Sequence, residues 1–303
     1  MKPNFSQNII AIVWDFDKTL IPYYMQKPLF ENYQVEESQF WSEVNKLPEF
    51  YHQQGIQMSP DTAYLNHILT YVKQERFKGL SNSKLRELGA SLDFFPGVEE
   101  IFTQLNSMVH DDEAYQKFDI KLEHYIVSTG LTEVIRGSKI NSMVKGIWGC
   151  EFIEDSGQLD SIAYLIDNTT KTRALFEINK GVNVHPEDIS VNQSMEEEHR
   201  RVPFHNMVYV ADGPSDIPAF SVVRKNQGRG FAVYNKDNLK SFKQAKQLLE
   251  DKRVDMFGEA DYSSGTITNL WLREQVQSIA DKIVADKKSK LREARESVPL
   301  HLN

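Results

Sequence analysis

The sequence predicts an α/β fold, an open, doubly wound parallel sheet with a helical segment inserted after its first strand. Three apolar runs predict the sheet. Ile9-Ile10-Ala11-Ile12-Val13-Trp14, Tyr125-Ile126-Val127 and Met207-Val208-Tyr209-Val210-Ala211 are short and rich in β-branched residues. That is the pattern of strands buried on both faces. Each run stops abruptly at small polar or acidic residues: Asp15-Phe16-Asp17-Lys18-Thr19, Ser128-Thr129-Gly130 and Asp212-Gly213. In open α/β sheets ligands bind beyond the carboxyl ends of the strands, so these three ends are expected at one site.

Residues 22–92 separate the first two runs and differ in composition, being rich in Gln, Glu, Lys and aromatics. Helical spacing in Phe40-Trp41-Val44-Leu47 and Tyr64-Ile68-Tyr71-Val72, broken at Pro28, Pro48, Pro60 and Gly79, predicts about four short helices. The expected organisation is a sheet domain of residues 1–21 and 93–303 with a helical cap of residues 22–92. Pro22 and the Pro96-Gly97 pair set the direction of the two linkers, with Gly97 expected to absorb backbone rotation. Tyr23, Tyr24 and Trp41 either line the substrate pocket from the cap or form the cap's own small core, the favoured reading.

An amphipathic helix is expected over residues 98–108, followed by Asp111-Asp112-Glu113 as a solvated loop. Beyond the second strand, residues 131–144 read as a helix. Residues 147–152 and 161–166 flank Asp155-Ser156-Gly157-Gln158 as a hairpin. A helix over residues 172–180 stops at Gly181. Residues 182–205 read as an exposed polar insertion whose His185 and His199 enter the third strand from the edge opposite the site. Phe231-Ala232-Val233-Tyr234 is a further strand, and an amphipathic helix from Ile267 loses its apolar seam after Ala285.

The 303 residues give room for one large domain or two modest ones. With 40% hydrophobic and 26% charged residues the chain has ordinary globular usage, which excludes a collagen, a disordered acidic tail and a disulfide scaffold. Lys and Arg number 35 against 43 Asp and Glu, a net charge of −8. That balance argues against nucleic acid as a partner, which needs clustered basic residues. The basic stretch Lys287-Lys288-Ser289-Lys290 with Arg292 reads as a solvated helix face. The single cysteine, Cys150, falls in an expected strand as a buried structural thiol and fits a reducing compartment. No apolar run approaches the roughly 20 residues needed to span a bilayer, and the N-terminus lacks a signal-like apolar stretch. A cytoplasmic protein with no membrane partner is expected. No feature specifies an oligomeric state.

Asp15 and Asp17 stand at i and i+2 on an extended segment and so face one side. Like charges held close raise one pKa, which suits an acid–base pair or a metal site. Alone, such a pair after a strand is more often an Asx-turn or a helix cap. Asp212-Gly213-Pro214-Ser215-Asp216 puts two more acids at another strand end. Four converging carboxylates call for a cation, and oxygen ligands of this kind suit Mg²⁺. Ser128-Thr129-Gly130 offers hydroxyls and N–H groups at the head of a helix, either an anion site or a simple cap. Lys171 sits in the first turn of its helix, where the dipole disfavours a cation; it is a functional candidate or a plain surface residue.

Together and in this order, Asp-Phe-Asp-Lys-Thr-Leu from Asp15, Ile-Val-Ser-Thr-Gly up to Gly130, Lys171, and Ala-Asp-Gly-Pro-Ser-Asp from Ala211 resemble the haloacid dehalogenase (HAD) superfamily of phosphohydrolases. A cap between the first two motifs most resembles its phosphoserine-phosphatase-like branch. The resemblance covers residues 9 to about 234 and implies a Rossmann-like core. It implies a Mg²⁺-dependent phosphatase that cleaves a small phosphate monoester through an aspartyl-phosphate. By the same resemblance Asp15 is the nucleophile and Asp17 the general acid and base. The carboxylates of Asp15 and Asp212 and the carbonyl of Asp17 hold Mg²⁺. Ser128, Thr129 and Lys171 bind phosphate, and Asp216 orders Lys171 and the metal's waters. Asp17 separates the chain from dehalogenases, which lack this second aspartate, and from ion-pumping ATPases, which have threonine there. In the phosphoserine branch an acid soon after the first motif recognises the substrate amine; here the next acid is Glu31. The alternative is a non-catalytic metal- or phosphate-binding regulatory module of the same fold. Phosphate release with and without EDTA separates the two.

Overall fold

Alternation along the first strand, β1 (Ile9–Trp14), sets the layers. Every residue of it is buried. Ile10, Ile12 and Trp14 join one apolar cluster, and Ile9, Ala11 and Val13 join another. Successive side chains of a strand point to opposite faces, so such a strand needs helices on both. The computed structural model describes residues 5–182 and 189–296, the side chains of 294–296 excepted. His185 lies outside the described residues.

The sheet is completed by β2 (Lys121–Leu131), β3 (Gly146–Asp155), β4 (Gln158–Tyr164), β5 (Met207–Ala211), β6 (Arg229–Tyr234) and β7 (Met256–Glu259). The order is β4-β3-β2-β1-β5-β6-β7. All pairings are parallel except β3 with β4, the expected hairpin turning at Ser156-Gly157. The chain runs outward from β1 through β4, then returns to the other side of β1 for β5. The junction of β1 and β5 is therefore the topological switch point, where α/β sheets leave a crevice.

The inserted segment folds as α1 (Lys27–Tyr33), α2 (Glu37–His52), α3 (Pro60–Lys73) and α4 (Asn82–Gly89). Phe30, Phe40, Tyr71 and Phe77 stack together at its centre. Pro48 does not break the chain as expected but lies inside α2, whose burial of Phe40 and Val44 outweighs one lost backbone hydrogen bond. After α5 (Val98–His110), the short α6 (Glu113–Lys117) is capped by Asp112, whose carboxylate accepts from Ala114 N and Tyr115 N. Part of the expected acidic loop is thus a helix cap.

The long helix expected over residues 131–144 is only α7 (Thr132–Gly137) and one 3₁₀ turn, because β2 continues to Leu131. The helix stops where Gly137 meets α4: a Cβ at Gly137 or Gly89 would overlap the backbone of the other helix. The insert thereby rests directly on α7.

Helices α8 (Thr170–Lys180), α9 (Ile217–Lys225) and α10 (Leu239–Glu250) cover the sheet face of Ile9, Ala11 and Val13. On the other face lie α5 and α11 (Ile267–Glu296). Among the described residues the last buried one of α11 is Val284, as the fading seam predicted. The segment leading into β5 is not wholly exposed. Arg201, Val202 and Phe204 are buried, with Arg201 bonded to both carboxylate oxygens of Glu123 at 2.6 and 2.7 Å.

The linkers of the insert are braced. Phe95 N donates to Leu20 O at 2.9 Å, and Tyr262 N to Pro96 O at 2.8 Å. Gly97 has φ 75° and N-caps α5, and a Cβ there would overlap the backbone of Tyr262 and Ser263. Gly97 is packed as an anchor where the sequence suggested a hinge, because the loop before α11 closes around it.

Candidate active site

Asp15 follows the last residue of β1, and its N–H still donates to Val210 O of β5 at 2.9 Å. The ladder thus carries the chain straight to the first acid. The Asp15 carboxylate is buried and bonded on both oxygens: Lys171 Nζ donates to Oδ1 at 2.8 Å and Thr19 Oγ1 to Oδ2 at 3.2 Å. Thr19 is held in turn by Tyr262, whose hydroxyl donates to Thr19 O at 2.7 Å. Tyr262 comes from the loop between β7 and α11.

Lys171 is 1% exposed and not a surface residue. It reaches from the first turn of α8 to Asp15 and also donates to Asp216 Oδ1 at 2.6 Å. Two carboxylates outweigh the unfavourable helix dipole. Asp216 accepts as well from Tyr209 Oη at 2.6 Å and Ser215 Oγ at 2.8 Å. Asp15, Asp212 and Asp216 each bring a carboxylate oxygen within 4.8 Å of the others. Asp17 is half-buried, and its Oδ1 accepts from Met25 N at 3.0 Å.

Burial pushes the Asp15 carboxyl up to about 6, against the pull of Lys171. Burial and then Asp15 push Asp212 up to about 8. The same two causes hold Asp17 well above the usual carboxylate range. At Lys171 burial lowers the pKa, but Asp15 and Asp216 overcome it and keep the ammonium charged. One buried ammonium does not balance these carboxylates. Their hard oxygen donors fit a divalent cation, which would supply the missing charge at Asp15 and Asp212.

A cavity of about 440 Å³ opens on this cluster, and Asp15, Asp17, Thr129 and Asp212 line it. Ser128 is buried, with its Oγ accepting from Gly130 N at 3.0 Å. Ser128, Thr129 and Gly130 belong to β2 and not to a helix head, since α7 begins only at Thr132. Tyr64 from α3 donates to Thr129 O at 2.6 Å, tying the insert to this strand end. Cys150 is buried beside the same carbonyl, and burial pushes its thiol up, which disfavours the thiolate. His199 is half-buried in the segment whose Glu197 carbonyl accepts from Gln7, ahead of β1 and away from the cavity.

Sequence reasoning missed most of the outer wall, where Lys18, Asn235, Asn238, Lys240 and Ser241 join Tyr24. The available signal was the end of the fourth apolar run, Phe231 to Tyr234, which opens on the same sheet edge as the other three. Tyr24 is 42% exposed and faces the cavity while touching Trp41, so it is not core as expected. Trp41 does pack among Phe30, Phe40 and Tyr64. Tyr23 instead accepts from Asp93 N at 2.8 Å, joining the two linkers.

No family model matches the chain. It is 38% identical over 292 residues to an uncharacterized protein of Borreliella burgdorferi, covering 90% of this chain and 98% of that one. Among solved structures it is similar to a HAD-family hydrolase from Salmonella enterica serovar Typhi, with a TM-score of 0.55 and 14% identity. That match spans 87% of this chain and 69% of the hydrolase. A probable phosphoserine phosphatase from Vibrio cholerae gives a TM-score of 0.52 and 16% identity over 95% of this chain and 69% of its own. Among the described residues no helix is long and apolar enough to cross a membrane. The chain belongs to one family with the Borreliella burgdorferi protein, and its fold is similar to those of the HAD-family hydrolase and the probable phosphoserine phosphatase.

Proposed function

We propose that the chain is a phosphohydrolase that cleaves a small phosphate monoester with the help of Mg²⁺. The observation that carries this reading is the buried Lys171 ammonium, 2.8 Å from Asp15 and 2.6 Å from Asp216, with an Asp212 oxygen in the same cluster. In this reading an Asp15 oxygen attacks phosphorus, the ester P–O bond breaks, and Asp17 protonates the departing oxygen. Water then attacks the aspartyl-phosphate, gives its proton to Asp17, and regenerates Asp15 with release of phosphate. The raised pKa of Asp17 supports the donor role, since burial and the Asp15 charge favour the protonated carboxyl.

The carboxylates of Asp15 and Asp212 and the carbonyl of Asp17 would hold Mg²⁺, which when bound shields the phosphate from the acids. Lys171 and the hydroxyls of Ser128 and Thr129 would bind the phosphate oxygens. Ser128 Oγ accepts from Gly130 N, which leaves its proton to donate. Asp216 positions Lys171. Residues 22–92 act as a cap on a core of residues 1–21 and 93–303, and the single buried cysteine supports a cytoplasmic location.

The test is phosphate release from 4-nitrophenyl phosphate and a panel of metabolite phosphates, with Mg²⁺ or with EDTA. Release is expected with Mg²⁺ only and not from Asp15→Asn. No release from any member would support a non-catalytic binding module instead.

A further inference from the structure

The cavity is asymmetric in charge. The acids that line it, Asp15, Asp17 and Asp212, are those already given to the chemistry. Among the described residues, the rest of its lining holds two cations, Lys18 and Lys240, and no carboxylate. The phosphate is served by Lys171, so these two lysines exceed what the transferred group needs. Lys236 and Asp237, exposed in the turn before α10, offset one another.

Lys18 is held at a backbone cost. Its φ is 58°, in the left-handed region, where a side chain costs roughly 1 kcal/mol that glycine avoids. The turn alone therefore favours glycine, and the chain places a lysine there. Its Nζ lies 3.7 Å from the centre of the Tyr24 ring, a cation–π contact that fixes the ammonium at the cavity wall and uses none of its N–H donors. Lys240, an exposed residue, lines the cavity from the first turn of α10, whose N-cap Asn238 accepts from Ser241 N at 3.0 Å. Like Lys171, it is a cation where a helix dipole disfavours one, an arrangement that an anion resolves.

We propose that the leaving group of the substrate carries a second negative charge, a carboxylate or a further phosphate, held by Lys18 and Lys240. This rests on the phosphohydrolase reading of the same cavity and names its substrate class. A leaving group with an ammonium would meet two like charges and no partner.

The test uses phosphate monoesters of two- to five-carbon alcohols that end in a carboxylate, a second phosphate, a hydroxyl or an ammonium. Varying the length separates reach from charge, and the first two arms distinguish the two anions. kcat/KM is measured for the wild type, Lys18→Met and Lys240→Met, with thermal unfolding as a check of folding. One charged hydrogen bond corresponds to about tenfold. The best anionic ester is therefore expected to exceed its hydroxyl counterpart at least that much, with the ammonium ester poorest. The anionic-to-neutral ratio is expected to fall severalfold in each variant and to shrink with added salt. Equal kcat/KM for anionic and neutral esters, or a ratio unchanged in both variants, would overturn this inference and leave the phosphohydrolase reading standing. No hydrolysis of any ester with Mg²⁺ present would overturn both.

Discussion

Lys171 follows Asp15 by 156 residues, yet its Nζ sits 2.8 Å from the Asp15 carboxylate and bridges it to Asp216. The bridge joins the ends of β1 and β5 through a helix that belongs to neither. Lys171→Met keeps the side-chain volume but leaves two buried acids facing each other. The expected loss of stability is about 3–5 kcal/mol, the cost of breaking a buried ion pair from one side. Urea unfolding measures it, and a loss below about 1 kcal/mol, the range of surface pairs, would contradict a structural role for the bridge.

The acids make stability depend on pH and metal together. Asp15 and Asp212, raised to about 6 and about 8 by burial first, bind protons more tightly folded than unfolded. Their contribution is fully present below about pH 4 and is lost as pH rises through those values. Metal-free protein should therefore lose thermal stability between pH 5 and pH 8. Mg²⁺ should raise Tm more at pH 8, where fewer protons compete for the carboxylates. Melting curves with EDTA or Mg²⁺ at both pH values check this. An equal shift at the two would count against metal binding at these acids.

Two glycines with left-handed backbones separate anchor from ordinary turn. Gly79 has φ 71° with open space around its Cβ position, whereas Gly97 has φ 75° and backbone in the way. Gly79→Ala should cost about 1 kcal/mol from conformation alone. Gly97→Ala adds overpacking and should lose about 2 kcal/mol or more. Equal losses in denaturant titrations would mean the loop at Tyr262 yields easily and Gly97 is a hinge after all.

Much of the sheet was legible because β1, β2 and β5 are short apolar runs, and an acid at the end of such a run has nowhere to go but the carboxyl edge. The same logic brought Asp15 and Asp212 to one place. What was not legible depends on partners far along the chain. Its place against the helix dipole marked Lys171 as a candidate but did not announce its burial, since its counter-charges lie 45 and 156 residues away. Arg201 looked solvated until Glu123 paired with it. Gly97 looked free because its constraint comes from Tyr262 and Ser263. The lysine wall was missed for a different reason: β6 was seen as a strand, but the turn after Tyr234, Asn235-Lys236-Asp237-Asn238, lacks the paired acids that marked the ends of β1 and β5.

The most direct test of the central claim is to trap the protein during turnover. Protein mixed with Mg²⁺ and a reactive aryl phosphate, quenched in acid and digested, should yield the peptide containing Asp15 with one added phosphoryl group at that residue. The adduct should be absent from Asp15→Asn and should accumulate in Asp17→Asn, where breakdown by water loses its base. Phosphate release with no adduct at Asp15, or with the adduct on another residue, would contradict the account.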